Sequence, residues 1–542
     1  MQENKNLILA VVLCLVVLFG WGYVSEYMGW SPRPQAPKPE NRSVSAQAPS
    51  QETQLPVFTP TAGHELTVNT PLFEAVFYTG GGPLRSFILK NYHNGILKDS
   101  PLVNLVNSEA AKFAPLGLIV NGQASWSTGS WSLSEDISRI NLENGEAGFI
   151  LNGEVDKLRI DRAITISADS YLLKEKITVT NPDAATRTAQ IRYTTAMDGS
   201  VASGGQYDAM RLAWDENGSL EEKPDKDLTT GYRAAGTIYW AGPMSTYFLS
   251  AIVPQNPDNL AMLGRLEANV FRAAVENEQF TLAPGQKVEL EVSYWLGPKI
   301  RSELNAVSEQ LGKSIDLGMF SGIAKGLLWL LEFFHKYVHN WGIAIILLTV
   351  LIKAVFWPLT AKSYSSMEKM KQLQPMMVKL KEKYKDNREA LNREMMALYK
   401  SYKVNPASGC VPILIQLPVF FGLYQALLTS IALRHASFIT YLPGTDIIWL
   451  ADLSAKDPLY ITPIIMGLSM FLQQKMGPAP QDPMQQKIMM FLPLIFTILF
   501  LSFPSGLVLY WLMNNILSIF QQWLMVHKKG TGTSRKKEAL NH

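Results

Sequence analysis

Four stretches in the last third of the chain contain no Asp, Glu, Lys or Arg: Val411 to Leu433, Leu459 to Gln474, Ile488 to Phe503 and Ser505 to Val526. A fifth, Trp341 to Thr360, contains a single charge, Lys353. Helices of about 20 apolar residues cross a hydrocarbon layer of about 30 Å. These runs therefore predict a bundle of membrane spans. Leu459 to Gln474 and Ile488 to Phe503 are short, roughly 24 Å as helix. Local thinning of the bilayer or burial against neighbours would accommodate them. A kinked bundle would also tolerate them, and Pro412, Pro418, Pro463 and Pro493 favour kinks. A further uncharged run, Leu7 to Val24, lies near the N-terminus. Its weakly basic leader and bulky Gly20-Trp21-Gly22 end suit an anchor over residues 1–30 better than a cleaved signal peptide.

Charge divides the chain. Residues 31–352 carry 27 Lys+Arg against 34 Asp+Glu, and the remainder carries 22 against 12. The loop 361–410 holds 11 Lys+Arg and 5 Asp+Glu, and Lys528, Lys529, Arg535, Lys536 and Lys537 crowd the basic tail 527–542. Short basic loops stay in the cytoplasm. With six spans, both termini are then cytoplasmic and the acidic block lies outside, in a periplasm. Cys14 and Cys410 are the two cysteines, so no disulfide braces that block.

Residues 31–60 are rich in Pro, Gln, Ser and Ala and read as a flexible tether. Over 61–316 short β runs alternate with turn signals, as in Glu74–Tyr78, Lys176–Thr180 and Val288–Val292. Gly80-Gly81-Gly82-Pro83 and Asn181-Pro182 break strands, and Asn217-Gly218 marks a hairpin. An all-β sandwich is expected. Sugar binding or processing is one reading of such a domain. Its two histidines, His64 and His93, show no carboxylate partner, so a structural or partner-binding role is preferred and no catalytic residue is assigned. Residues 317–340 put Ser321, Lys325, Glu332, Lys336 and His339 on one helical face and apolar residues on the other. An amphipathic helix in the outer interface is expected, with an ordinary helix packed on the sandwich as the alternative.

Lys353 is the sharpest feature of the predicted core, 341–526. It lies about 18 Å into its span, and Lys at a helix centre costs about 2.5–3.5 kcal/mol on insertion scales. No span supplies an acidic partner. It either snorkels to the cytoplasmic interface or lines a wet groove. Thr349 lies one turn before it. Trp511, Asn515, Ser518 and Gln522 repeat at helical spacing, as do Asn514, Ser518 and Gln521, and Gln416 and Gln425 sit in another span. Such residues face protein or water rather than lipid, as a groove lining or as helix–helix glue. In the 361–410 hairpin, Met367, Met370, Met377, Leu380 and Tyr384 form one stripe and Leu391, Met395, Leu398 and Tyr402 another. The methionines suit either an adaptable contact surface or mutual packing. The spans could also serve a membrane transporter or channel, but no intramembrane carboxylate offers a proton or ion relay. An intramembrane protease would need a histidine beside a serine such as Ser505, and no span contains one.

Several stretches together carry a resemblance: Glu394–Lys400, Val404-Asn405-Pro406 with Gly409-Cys410 and Pro412, Asp482–Met489 and Phe503–Tyr510. With them the chain resembles the YidC/Oxa/Alb family of membrane-protein insertases, in its Gram-negative YidC branch, over essentially its whole length. The resemblance implies a multi-domain membrane protein: an α-helical bundle with a five-helix family core and a periplasmic all-β supersandwich. It implies an inner-membrane location and insertion of nascent membrane proteins, alone or with the Sec translocon, without ATP hydrolysis, cofactor or metal. Ribosome and membrane lipid are expected contacts of the basic tail. The best-known members carry Arg where this chain has Lys353, which keeps the charge but loses the guanidinium fork.

Overall fold

The computed structural model describes residues 55–538 except 60–62, 98, 128–129, 203–207, 386, 405–410 and 478–482. The predicted N-terminal anchor, the tether up to residue 54, the motif Asn405–Cys410 and residues 539–542 of the tail lie outside the described residues. A β unit ends at Asp316 and a helical unit begins at Leu317.

The β unit is built on a nine-stranded antiparallel sheet. Its order is Ser219–Lys223, Arg211–Glu216, Ile238–Met244, Phe248–Pro254, Lys287–Pro298, Leu172–Thr180, Leu158–Ser167, Glu146–Val155 and Trp131–Leu133. A six-stranded sheet centred on Val270–Glu276 and Ile191–Asp198 and a five-stranded sheet from Leu102–Val106 to Arg139–Asn141 complete the layers. The predicted breaks are where the strands turn. Asn217 and Gly218 both take positive φ between their two strands, as a type I′ hairpin requires. Alternation along Leu158–Ser167 turns Leu158, Ile160, Ile164 and Ile166 inward.

Arg162 occupies the same inward row and is fully buried. Its Nε meets Glu175 Oε1 at 2.5 Å, Nη2 donates to Leu116 O at 2.7 Å, and Nη1 donates to Gly81 O. Burial alone would lower the guanidinium pKa, but the Glu175 carboxylate outweighs it and holds it above its ordinary value. Gly81 and Gly82 have φ of +95° and +79°, and a Cβ on Gly82 would lie 2.6 Å from Arg162 Nη1. The glycine run therefore both makes the turn and admits the guanidinium.

The β unit also begins earlier than the expected boundary at residue 61. Leu55 is buried, and its carbonyl accepts from Arg272 Nη1 at 2.7 Å. Pro56 O accepts from Arg272 Nη2 at 2.8 Å, and Val57 O from Trp126 Nε1 at 2.9 Å. Polar composition suggested a free tether through residue 60; the apolar and carbonyl groups of 55–58 found partners on the domain instead.

In the helical unit, α1 spans Ser321–Val338, α2 Trp341–Lys383, α3 Arg388–Ser401, α4 Val411–Thr429, α5 Ile461–Met476, α6 Pro483–Phe500 and α7 Ser505–Glu538. By length and composition α2 can cross a membrane. It runs unbroken through the expected boundary at residue 360, with Pro358 and Pro375 inside it, so span and first hairpin arm are one helix of 43 residues. Ala324, Leu327 and Leu331 of α1 are buried, and Leu327 and Leu331 join the core of the helical unit with Ile345 and Leu348 of α2. Trp329, Phe333 and Tyr337 stay exposed along the opposite side of α1. Gly467 lets α5 approach α6 closely, since a Cβ there would meet Thr497 Oγ1 at 1.9 Å. Ile464, Leu468, Leu472, Leu494 and Ile498 of these helices are exposed, a surface that suits lipid rather than water. At the predicted Phe503–Gly506 turn, the Ser505 hydroxyl donates to Asp452 O at 2.9 Å.

Candidate functional site

Two long helices, α2 and α7, carry the site. Each presents polar residues at three- and four-residue spacing, so the side chains fall on one face. Lys353 Nζ of α2 donates to Ser518 Oγ of α7 at 2.7 Å. Ser518 Oγ in turn donates to Asn514 O, one turn earlier, at 2.7 Å. Asn514, Asn515, Ser518, Gln521 and Gln522 are all buried in the helical unit. Further along α2, Thr360 and Gln521 exchange hydrogen bonds of 2.8 and 3.1 Å between their side chains. Tyr364 lies beside Ser518 and Gln522. The result is a polar seam along α2 and α7 from Lys353 toward the hairpin.

No carboxylate comes within ion-pair distance of Lys353 among the described residues, and Ser518 is its one hydrogen-bond partner there. An ammonium has three N–H donors, so this one retains capacity for an incoming acceptor. In a low-dielectric setting its attraction for a carboxylate exceeds that in bulk water.

Not every expected groove residue joins the seam. Thr349 is buried, but its hydroxyl turns back to Ile345 O at 2.7 Å. Asn515 points to α5, with Nδ2 3.1 Å from Ser469 Oγ. Gln425 lies against Gly318, at the other end of its helix from Gln416. Gln416 approaches Tyr510. Trp511 packs its ring with Phe420 at 4.8 Å, Phe500 at 5.3 Å and Phe496 at 5.9 Å, in an aromatic cluster. Helical spacing placed it with the polar residues, but at the edge of that face the large ring follows its neighbours. Tyr364 was missed. It lies eleven residues after Lys353, three helical turns on, and the boundary expected at Thr360 concealed the continuation of the same face.

The hairpin methionines divide between internal packing and exposure. Met370, Met377 and Met395 pack with the buried Leu373 and Val404 inside the hairpin. Met367 lies near Gly477, at the end of α5. Met376 and Met396 are the exposed methionines of the hairpin. Mutual packing took the predicted stripe because both arms are short and each needs the other's apolar face.

The 60Kd inner membrane protein family matches residues 333–531, and the YidC periplasmic domain family matches residues 65–330. "Membrane protein insertase YidC" of Nitratidesulfovibrio vulgaris (strain DP4) is 53% identical over 97% of this chain and 100% of its own length. The protein of the same name from Oleidesulfovibrio alaskensis (strain ATCC BAA-1058 / DSM 17464 / G20) is 46% identical, again over 97% and 100%. Among solved structures, an active YidC insertase with its first transmembrane domain resolved is 19% identical, covering 86% of this chain and 94% of that one at a TM-score of 0.35. A galactose mutarotase-like protein from Lactobacillus casei covers 43% of this chain at 12% identity and a TM-score of 0.32. A β domain, a helical core with a half-buried cation, and relatives matched from end to end lead to one assignment: the chain belongs to the YidC family of membrane protein insertases.

Proposed function

We propose that this protein inserts nascent membrane proteins into the inner membrane through the polar seam between α2 and α7, with Lys353 as the attracting charge. What carries the reading is a cation on an apolar span that has a hydroxyl partner and no carboxylate among the described residues. A substrate's acidic tail must shed water to cross a bilayer, and a fixed positive charge part-way along lowers that barrier. The attraction stays modest, so the substrate can leave. Six spans with both termini in the cytoplasm and the β unit in the periplasm follow from the charge distribution. The Sec translocon, the ribosome and membrane lipid are proposed partners, the last two through the basic tail. A transporter or channel reading has no specific observation in its favour.

Reconstitution in pure lipid vesicles tests the proposal, with two-span substrates whose translocated tails are acidic or neutral. Lys353→Arg should keep most insertion. Lys353→Ala should impair acidic tails more than neutral ones, and Lys353→Glu should be worst because it repels the tail. Equal insertion of both tails by Lys353→Ala, at matched protein levels, would reject the electrostatic role.

A further inference from the structure

We propose that Ser518 is a positioning residue that holds the Lys353 ammonium for an incoming carboxylate, an inference that rests on the proposed role of Lys353. A hydroxyl can donate one hydrogen bond and accept two. The Ser518 proton goes to Asn514 O at 2.7 Å, which leaves the oxygen to accept from Lys353 at the same distance, with Tyr364 of α2 beside the same hydroxyl. The back-bond within α7 fixes the hydroxyl rotor and turns its lone pairs toward α2. Ser518 is buried, which removes competing bulk water from this exchange. A lysine side chain is long and flexible and would otherwise extend to the interface. One neutral acceptor is enough to hold it at this depth, whereas a carboxylate would neutralise it. The neighbouring polar pair Thr360–Gln521 satisfies itself and does not draw on Lys353.

The chemistry defines what the site selects: a substrate segment bearing a carboxylate, taken up by the donors that Ser518 leaves unused. Threonine can make the same bond to the carbonyl four residues back, so Ser518→Thr should act like the parent. Ser518→Ala removes the acceptor while leaving the charge in the chain.

The full-length protein and its variants are compared in vesicles with acidic-tail and neutral-tail substrates at matched protein levels. Ser518→Ala should lower acidic-tail insertion about fivefold, the worth of one typical hydrogen bond, and neutral-tail insertion by clearly less. Ser518→Thr should restore it. The double variant Lys353→Ala/Ser518→Ala should be no worse than Lys353→Ala alone, because Ser518 acts through the lysine. Additive losses, equal losses for both tails, or parental activity in Ser518→Ala would each overturn the positioning role while the Lys353 reading stood. If Lys353→Ala itself treats both tails alike, the Lys353 reading fails and this inference falls with it.

Discussion

Two cations in this chain, Arg162 fully buried and Lys353 half-buried, are handled in opposite ways. Arg162, in the β unit, is enclosed by Glu175 and two backbone carbonyls. Lys353, in the helical unit, has a serine hydroxyl and no carboxylate among the described residues. The first arrangement gives each guanidinium nitrogen a partner and neutralises the charge, and ties Leu158–Ser167 to Gly81 and Leu116. The second leaves charge and donors in reserve. A buried cation that is neutralised in place serves the fold, while one left without a counter-charge on an apolar span fits the proposed attraction of an acidic substrate segment.

The largest effect should come from breaking the neutralised pair. Glu175→Ala leaves a buried guanidinium without its carboxylate and should cost about 3–5 kcal/mol. Pulse proteolysis of the β unit in the detergent-solubilised full chain measures it. A loss under about 1 kcal/mol would mean that the two carbonyls suffice, and the contrast with Lys353 would weaken.

Lys299 sharpens the comparison as an intermediate case. It is buried, with Ser245 O at 3.4 Å and Met244 Sδ at 3.6 Å. Burial, with Arg211 adding to it, pushes its pKa down to about 7, against weaker opposing pulls from Glu222, Asp208 and Asp316. Its unfolded value lies near 10.5, so between about pH 7 and 10 the unfolded chain binds more protons. Stability of the β unit should therefore rise with pH across this window, by no more than about 1.4 kcal/mol per unit. Lys299→Met should flatten that slope. An unchanged slope in urea titrations at pH 7, 8 and 9 would show that Lys299 is not its source.

Removing Lys353 should do little to stability. Lys353→Met deletes an uncompensated charge and should leave the thermal unfolding of the detergent-solubilised protein within about 1 kcal/mol of the parent or higher, while acidic-tail insertion falls. A loss of several kcal/mol would place Lys353 with Arg162 as a structural cation. The smallest effect belongs to the basic tail. Lys528, Lys529, Arg535, Lys536 and Lys537 should add salt-sensitive attraction for RNA or anionic lipid. Deleting residues 530–542 should weaken ribosome co-sedimentation at low salt and change nothing at high salt. Equal binding across the salt series would leave the tail as a topology signal alone.

Both cations were visible in the sequence, but only one drew notice there. Lys353 stood out because its surroundings are apolar for nearly twenty residues. Arg162 sits beside Asp161 and near Arg159 in a strand whose inward row becomes evident only when Leu158, Ile160, Ile164 and Ile166 are seen to share its side. Its partner Glu175 lies on the next strand, two register positions from direct opposition. Strand register is set by many distributed contacts, so a cross-strand pair of this kind was not legible beforehand.

The pattern of residues along the chain determined the β unit and its turns, the helices of the core, and the presence of an unneutralised lysine among apolar spans. Period and charge are local quantities, and a local reading recovers them. Which polar residues of α7 face α2 was a tertiary decision. Ser518 and Gln521 turned to Lys353 and Thr360, Asn515 turned to Ser469, and Trp511 joined Phe420 and Phe500. Helical spacing assigns residues to a face of about 100°, but three neighbours compete for that face. Packing of large rings and pairing of buried donors decide among them, and both depend on residues distant in sequence.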